Sequence, residues 1–155
     1  MRPRKPGRFA PSGLLGGSAL LLVTLNLASA LHFACGAVSF VVTGPLRDVL
    51  NCHCHRCRRF TGHHMAATAA RTDDVAIADP DGDLRWYEPV SEAGYGFCAR
   101  CGSSLFWRSS RAPDRISICA GTLEPPTGLR TVAAWWIREA SDYHDRVPLP
   151  EHETE

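Results

Sequence analysis

The stretch Asn51-Cys52-His53-Cys54-His55-Arg56-Cys57-Arg58-Arg59 decides how this chain is read. A C-x-C-x-x-C run interleaved with histidines and arginines is too dense in thiols for ordinary core packing. Thiolates at such short spacing converge on one metal ion when a tight turn aims neighbouring side chains at the same point. A second pair, Cys98-Ala99-Arg100-Cys101, follows later in the chain with Gly102 directly behind it. The sequence therefore speaks first of zinc, in a fold stapled by metal.

Composition narrows the classes around that reading. A chain of 155 residues fits one domain plus an appendage. Hydrophobic content of 45% and charged content of 21% are ordinary for a globular protein. A net charge of +1 gives no electrostatic case for a nucleic-acid partner. The cluster Arg56, Arg58 and Arg59 is accounted for by the negative charge of the thiolates beside it. The cysteines number seven, an odd count, and most of them sit in the two tight motifs. A secreted disulfide framework would spread its cysteines and leave none over. Metal-bound thiolates in a reducing, cytoplasmic compartment fit better.

The N-terminus pulls the other way. Residues 1–30 carry a basic start (Arg2, Arg4, Lys5, Arg8), an apolar middle from Leu14 to Leu27, and an Ala28-Ser29-Ala30 cleavage pattern, which together read as a secretory signal peptide. The apolar run falls short of the ~20 residues that span a bilayer, so a membrane anchor is not expected. The competing reading is upstream sequence translated from a misassigned start. An exported protein would carry thiolate zinc sites into an oxidising space, which argues for the second reading.

Residues 31–150 then read as one mainly β domain, with 151–155 a polar tail expected to fray. Ala37 to Val42 is rich in β-branched and aromatic residues and is closed by Thr43-Gly44-Pro45. Leu46 to Leu50 leads into the cysteine cluster. Met65 to Thr72 is a strand or a short helix, its alanines blurring the choice. Asp79-Pro80-Asp81-Gly82-Asp83 is a turn, and Leu84 to Tyr87 a strand after it. Gly94 to Phe97 enters the second cysteine pair and Ser104 to Trp107 leaves it. Arg115 to Ala120 alternates polar and apolar as a half-buried strand does. Thr131 to Arg138 supplies the last strand, and no long amphipathic helix is visible.

Structural zinc wants four ligands, while reactive zinc keeps one position exchangeable. Cys52, Cys54 and Cys57 offer three thiolates from one loop and leave room for a fourth. That suits a zinc that captures a substrate thiol, which binds as the thiolate. His53 and His55 are alternative ligands, although the middle residue of a C-x-C usually points away. Cys98 and Cys101 form half of a structural knuckle, with Gly102 permitting the turn. Cys35, followed by Gly36, is its third ligand or else a small buried hydrophobe. Cys119, among Ile116, Ile118 and Ala120, reads as a core thiol.

Taken in order, Cys35-Gly36-Ala37-Val38, then Cys52-His53-Cys54 to Cys57-Arg58-Arg59 with Thr61-Gly62, then Phe97-Cys98-Ala99-Arg100-Cys101-Gly102-Ser103-Ser104-Leu105-Phe106-Trp107, and finally Ile116-Ser117-Ile118 with Ala120-Gly121-Thr122-Leu123-Glu124 resemble the glutathione-dependent formaldehyde-activating enzyme family, also called the centromere protein V type domain. The likeness runs from about Cys35 to Pro150. It implies an Mss4-like fold of short antiparallel sheets with two zinc ions. It also implies a carbon–sulfur lyase that condenses glutathione with formaldehyde. Carried over by position, Cys52, Cys54 and Cys57 hold the reactive zinc, and Cys35, Cys98 and Cys101 belong to the structural one.

This chain departs from the family pattern in places. Members usually open with C-x-C-G, and Phe33 stands where the first cysteine belongs. The structural site is thus one thiolate short unless His32, water or another group fills in. Many members also carry a histidine near Ala134 and a positive residue near Tyr95. Arg58, Arg59 and Trp107 are candidates to clasp a glutathione carboxylate, with no role that spacing alone assigns. Two other classes compete: a zinc scaffold with both sites closed, since fold does not carry function, and a methionine sulfoxide reductase-like enzyme. The last needs a reactive cysteine, and Cys119 has no neighbour that would lower its pKa.

Overall fold

β-Branched and aromatic residues at alternating positions favour strands that bury one face, and two sheets assemble from them here. The computed structural model describes residues 30–32 and 35–154. The signal-like segment up to residue 29 and Phe33 lie outside the described residues. Among the described residues there are eleven strands and one α-helix, in the order β1 (Ala30–His32), β2 (Ser39–Val42), β3 (Val49–Cys52), α1 (His55–Thr61), β4 (Met65–Arg71), β5 (Val75–Ala78), β6 (Leu84–Val90), β7 (Ala93–Cys98), β8 (Ser104–Ser109), β9 (Arg115–Cys119), β10 (Thr131–Trp135) and β11 (Glu151–His152). No helix among the described residues is long and apolar enough to cross a membrane.

The smaller sheet has the order β1-β2-β5, and the larger runs β11-β10-β3-β4-β9-β8-β7-β6. Pairing is antiparallel except at one edge, where β10 lies parallel to both β3 and β11. The fold is mainly β, as expected, and this parallel edge is an addition that no local signal announces. Met65–Arg71 resolves as a strand because it is central: β3 pairs on one side and β9 on the other. Its alanines are buried on both faces, where small side chains let the neighbouring layers close in. In β9 the buried positions are Ile116 and Ile118, which is the alternation read from sequence. The turn at 79–83 forms around Asp79, whose carboxylate accepts the N–H groups of Asp83 at 2.6 Å and Leu84 at 3.0 Å.

Two expectations change. The chain after Pro148 does not simply fray: Glu151–His152 pairs as β11, and Pro150 accepts the Ala134 N–H at 2.9 Å. The polar sequence hid this because an exposed edge strand is held chiefly by backbone hydrogen bonds and needs no apolar pattern. Thr131–Arg138 is a strand only as far as Trp135; Ile137–Glu139 winds into a 3-10 turn.

The principal core lies between the two sheets. Phe40 of β2 meets Phe106 of β8 edge to face at 5.3 Å, with Val38, Leu105 and Ile118 fully enclosed around them. Thr68, also fully buried, donates its hydroxyl hydrogen to the Arg47 carbonyl and so leaves no polar atom stranded. A second, smaller core of Cys57, Met65, Ala67 and Tyr95 sits under the cysteine loop. Phe106→Ala should lower stability by about 3–5 kcal/mol, because it opens a cavity where both sheets meet. Chemical denaturation at constant metal loading measures this, and a loss below about 1 kcal/mol would mean the sheets do not depend on that contact.

Candidate metal centre

The cysteine loop is built from a strand end, a helix cap and a helix turn. Cys52 closes β3, Cys54 is the N-cap of α1, and Cys57 lies in the first turn. Cys54 has the extended backbone of a cap, and its Sγ accepts the Cys57 N–H at 3.4 Å, the place usually taken by a serine or aspartate oxygen. The three sulfurs consequently lie within 4.8 Å of one another, with Cys57 buried and the other two half-buried. The chain's seven cysteines are all free thiols.

Crowding divides the charge unequally. Hydrogen bonds from the Cys52 and Cys57 thiols, helped by the N–H groups of Cys57 and Arg56, pull the Cys54 pKa far down. The bond to Cys54 pushes Cys52 up to about 12, and the bond to Cys52 raises Cys57. The crowding favours charge on Cys54 and disfavours it on Cys52 and Cys57. That is how three close thiols behave without a cation between them, and a dication lets all three ionise together.

The loop opens into a cavity of about 520 Å³. Cys52, Cys54 and Cys57 line it together with Arg47, Arg56, Tyr95, Trp107, Trp135, Trp136 and Glu139. The Tyr95 hydroxyl lies 3.6 Å from Cys57 Sγ, and burial raises its pKa, so it remains a phenol. Trp136 stands in the left-handed region at φ 60°, the sole non-glycine residue to do so among those described. Strain of this kind gathers at ligand clamps.

Of the alternative ligands, His53 turns away from the sulfurs, while His55 lines the cavity beside them without joining their group. His53 is buried, donates its N–H to the Trp135 carbonyl at 2.9 Å, and faces the rings of His64 and His144. His55 is exposed and donates its N–H to Glu139 Oε2. Of the candidate clasps, Trp107 lines the cavity, Arg58 donates to Ser141 Oγ at 2.7 Å, and Arg59 is exposed. Sequence reasoning missed Arg47, Trp135 and Trp136, which arrive from loops and β10 with no motif to mark them.

The second group, Cys35, Cys98 and Cys101, likewise has its sulfurs within 4.8 Å. Cys35 Sγ and Cys98 Sγ are 3.7 Å apart, close to the roughly 3.8 Å edge of a tetrahedron with metal–sulfur bonds of about 2.3 Å. Left-handed Gly102 makes the knuckle, returning its N–H to the Cys98 carbonyl at 2.8 Å. The Ser103 hydroxyl and N–H draw the Cys101 pKa down to about 7. The Ala37 N–H lowers Cys35 in the same way, but the Cys101 and Cys98 thiols outweigh it and raise the net value. Cys98 is rooted in the main core, while Cys35 and Cys101 are exposed. Thiolate sets such as these suit a borderline-soft metal ion. Cys119 packs against the second core, and burial pushes its thiol up to about 11, which disfavours a nucleophile.

A family model described as glutathione-dependent formaldehyde-activating enzyme matches residues 31–139. Among solved structures, the chain is similar to the crystal structure of a Rhodobacter sphaeroides protein. The two are 26% identical, with 63% of this chain and 89% of that one covered, at a TM-score of 0.52. Among curated proteins nothing matches.

Cys54→Ser and Cys101→Ser should each remove one metal equivalent per chain, read by elemental analysis of the purified full chain. Cys98→Ser should in addition unfold at a lower temperature than Cys101→Ser, since its sulfur is buried in the main core. Unchanged metal content in any of the three would show that its sulfur is not a ligand.

Proposed function

The chain belongs to the glutathione-dependent formaldehyde-activating enzyme family, and from that membership we propose that it condenses glutathione with formaldehyde at a zinc ion held by Cys52, Cys54 and Cys57. One observation supports this above the others: the three sulfurs lie within 4.8 Å of one another and line the same cavity. A scaffold with a closed loop site would need a fourth side chain on that set. Of the two histidines best placed in sequence to provide it, His53 turns its ring toward His64 and His144. His55, though it lines the cavity, is exposed and stands outside the group of three sulfurs.

The reaction is an addition. The thiol sulfur forms a bond to the formaldehyde carbon, the carbonyl π pair moves onto oxygen, and the proton released by the thiol ends on that oxygen, giving S-hydroxymethylglutathione. No electrons are gained or lost, and the reverse direction breaks a carbon–sulfur bond. Zinc, when bound, supplies the positive charge that favours a thiolate over a thiol at neutral pH.

The remaining work falls to this chain's own side chains. The cavity has the volume of a small-molecule site, about 300–1,000 Å³. Arg47 and Arg56 present paired N–H donors that match the carboxylates of a tripeptide. The Arg47 guanidinium is steadied by the carbonyls of Asp48 at 2.8 Å and Ala67 at 3.3 Å. Trp107, Trp135 and Trp136 form apolar walls that exclude water from the sulfur. When Cys57 is a thiolate, the Tyr95 phenol donates to its sulfur and fixes its lone-pair direction. A second zinc at Cys35, Cys98 and Cys101 would be structural, tying the lead-in to β2 onto the β7–β8 turn. Free thiols throughout suit a reducing, cytoplasmic setting.

Exchange NMR of glutathione and formaldehyde with the zinc-loaded chain tests this reading. The rate of S-hydroxymethylglutathione formation should exceed the uncatalysed background, and Cys54→Ser should abolish the excess. Arg47→Ala should raise the glutathione concentration for half-maximal rate about tenfold, the loss of one charge-assisted contact. No acceleration by a folded, zinc-loaded chain would leave the scaffold as the better account.

A further inference from the structure

Next to the cysteine loop, on the side away from the sulfurs, three imidazoles meet. Ring nitrogens of His53, His64 and His144 all lie within 4.8 Å of one another. His53 is only 3% exposed, and the other two are half-buried. Nδ1 of His53, Nδ1 of His64 and both ring nitrogens of His144 are buried without a hydrogen-bond partner. A neutral imidazole carries one donor and one acceptor nitrogen, and native folds seldom leave such atoms unpaired. Four in one cluster call for a common partner, and acceptor nitrogens turned toward one point call for a cation.

We propose that His53, His64 and His144 form a third metal site, made of imidazoles alone, that binds a divalent transition-metal ion. Imidazole donors select zinc, copper, iron or nickel over calcium and magnesium. The local frame is already set. The His53 backbone is fixed by its N–H bond to Trp135 at 2.9 Å, and its ring lies within 7° of parallel to that of His144. The neighbouring His63 stands 4.2 Å from the His64 ring, with Nδ1 2.8 Å from the Tyr143 hydroxyl, which positions the residue before His144. Metal–nitrogen bonds of about 2.0–2.1 Å put ligand nitrogens roughly 3.4 Å apart in a tetrahedron, so the rings close inward on binding. His144 has the freedom to do this, because it lies in the irregular segment between the 3-10 turn and β11. Charge nearby is balanced: Arg146 pairs with Glu151 at 3.3 Å. The site contains no sulfur, so it stands or falls independently of the thiolate groups. Its effect would be to clamp the C-terminal segment against the ends of β3 and β4.

The test uses the full chain, charged with zinc and then stripped of weakly held metal by a mild chelator, with Co²⁺ as the probe. One further equivalent of Co²⁺ should bind, giving d–d absorption without a sulfur-to-cobalt charge-transfer band. His144→Ala and His64→Ala should each weaken that binding at least tenfold, with circular dichroism confirming the fold; should one variant unfold, the other decides. Absence of further binding up to millimolar Co²⁺, binding undiminished in a folded variant, or a sulfur charge-transfer band on the added equivalent would each overturn the proposal.

Discussion

Repulsion among sulfurs is the constraint on which this architecture depends. Two unit charges about 4 Å apart in a partly buried setting repel by about 4 kcal/mol. Three thiolates within 4.8 Å are therefore tolerable only around a cation. The fold nevertheless gathers sulfurs twice, each time by rigid local geometry: a strand end joined to a helix cap at Cys52, Cys54 and Cys57, and a glycine knuckle at Cys98 and Cys101. A chain that held these groups only for packing would have used alanine or valine. The backbone N–H groups aimed at Cys54, Cys35 and Cys101 favour the ionised sulfur at each place.

The two thiolate groups differ in what surrounds them. The Cys35 group joins residues far apart in sequence and is anchored through Cys98 in the core between the sheets. Loss of a ligand there would loosen the packing of one sheet on the other. The loop group instead rests on a small core of its own and opens into an aromatic, arginine-edged cavity. A sulfur cluster with a cavity before it can admit a small thiol, whereas one on a knuckle at the surface cannot enclose it.

Much of this was legible in the sequence because the signals were local. Cysteine spacing identified both groups, and the periodicity of residues 115–119 and the aspartates of 79–83 marked a strand and a turn that form as read. The unread parts are long-range. Strand β10 pairs in parallel with β3 across most of the domain, and only that pairing brings Trp135 to the cavity rim. Strand β11 is two exposed polar residues with no apolar pattern to announce it. Helix α1 buries only Cys57, so its helical period has almost nothing to show. The left-handed backbone of Trp136 depends on the turn that follows β10, and tryptophan has no intrinsic preference for it.

The alternation of an extended chain explains why one short motif feeds two separate clusters. Successive side chains along such a backbone point to opposite faces. In Cys52-His53-Cys54 this sends the two sulfurs toward the cavity and the imidazole between them toward His64 and His144. The His53 N–H on the Trp135 carbonyl locks that register, since a one-residue slip would exchange sulfur for imidazole on both sides at once. The C-x-C spacing thus does more than bring two thiols together. It fixes which face of β3 meets the cavity, and it commits the residue in the middle to whatever lies behind.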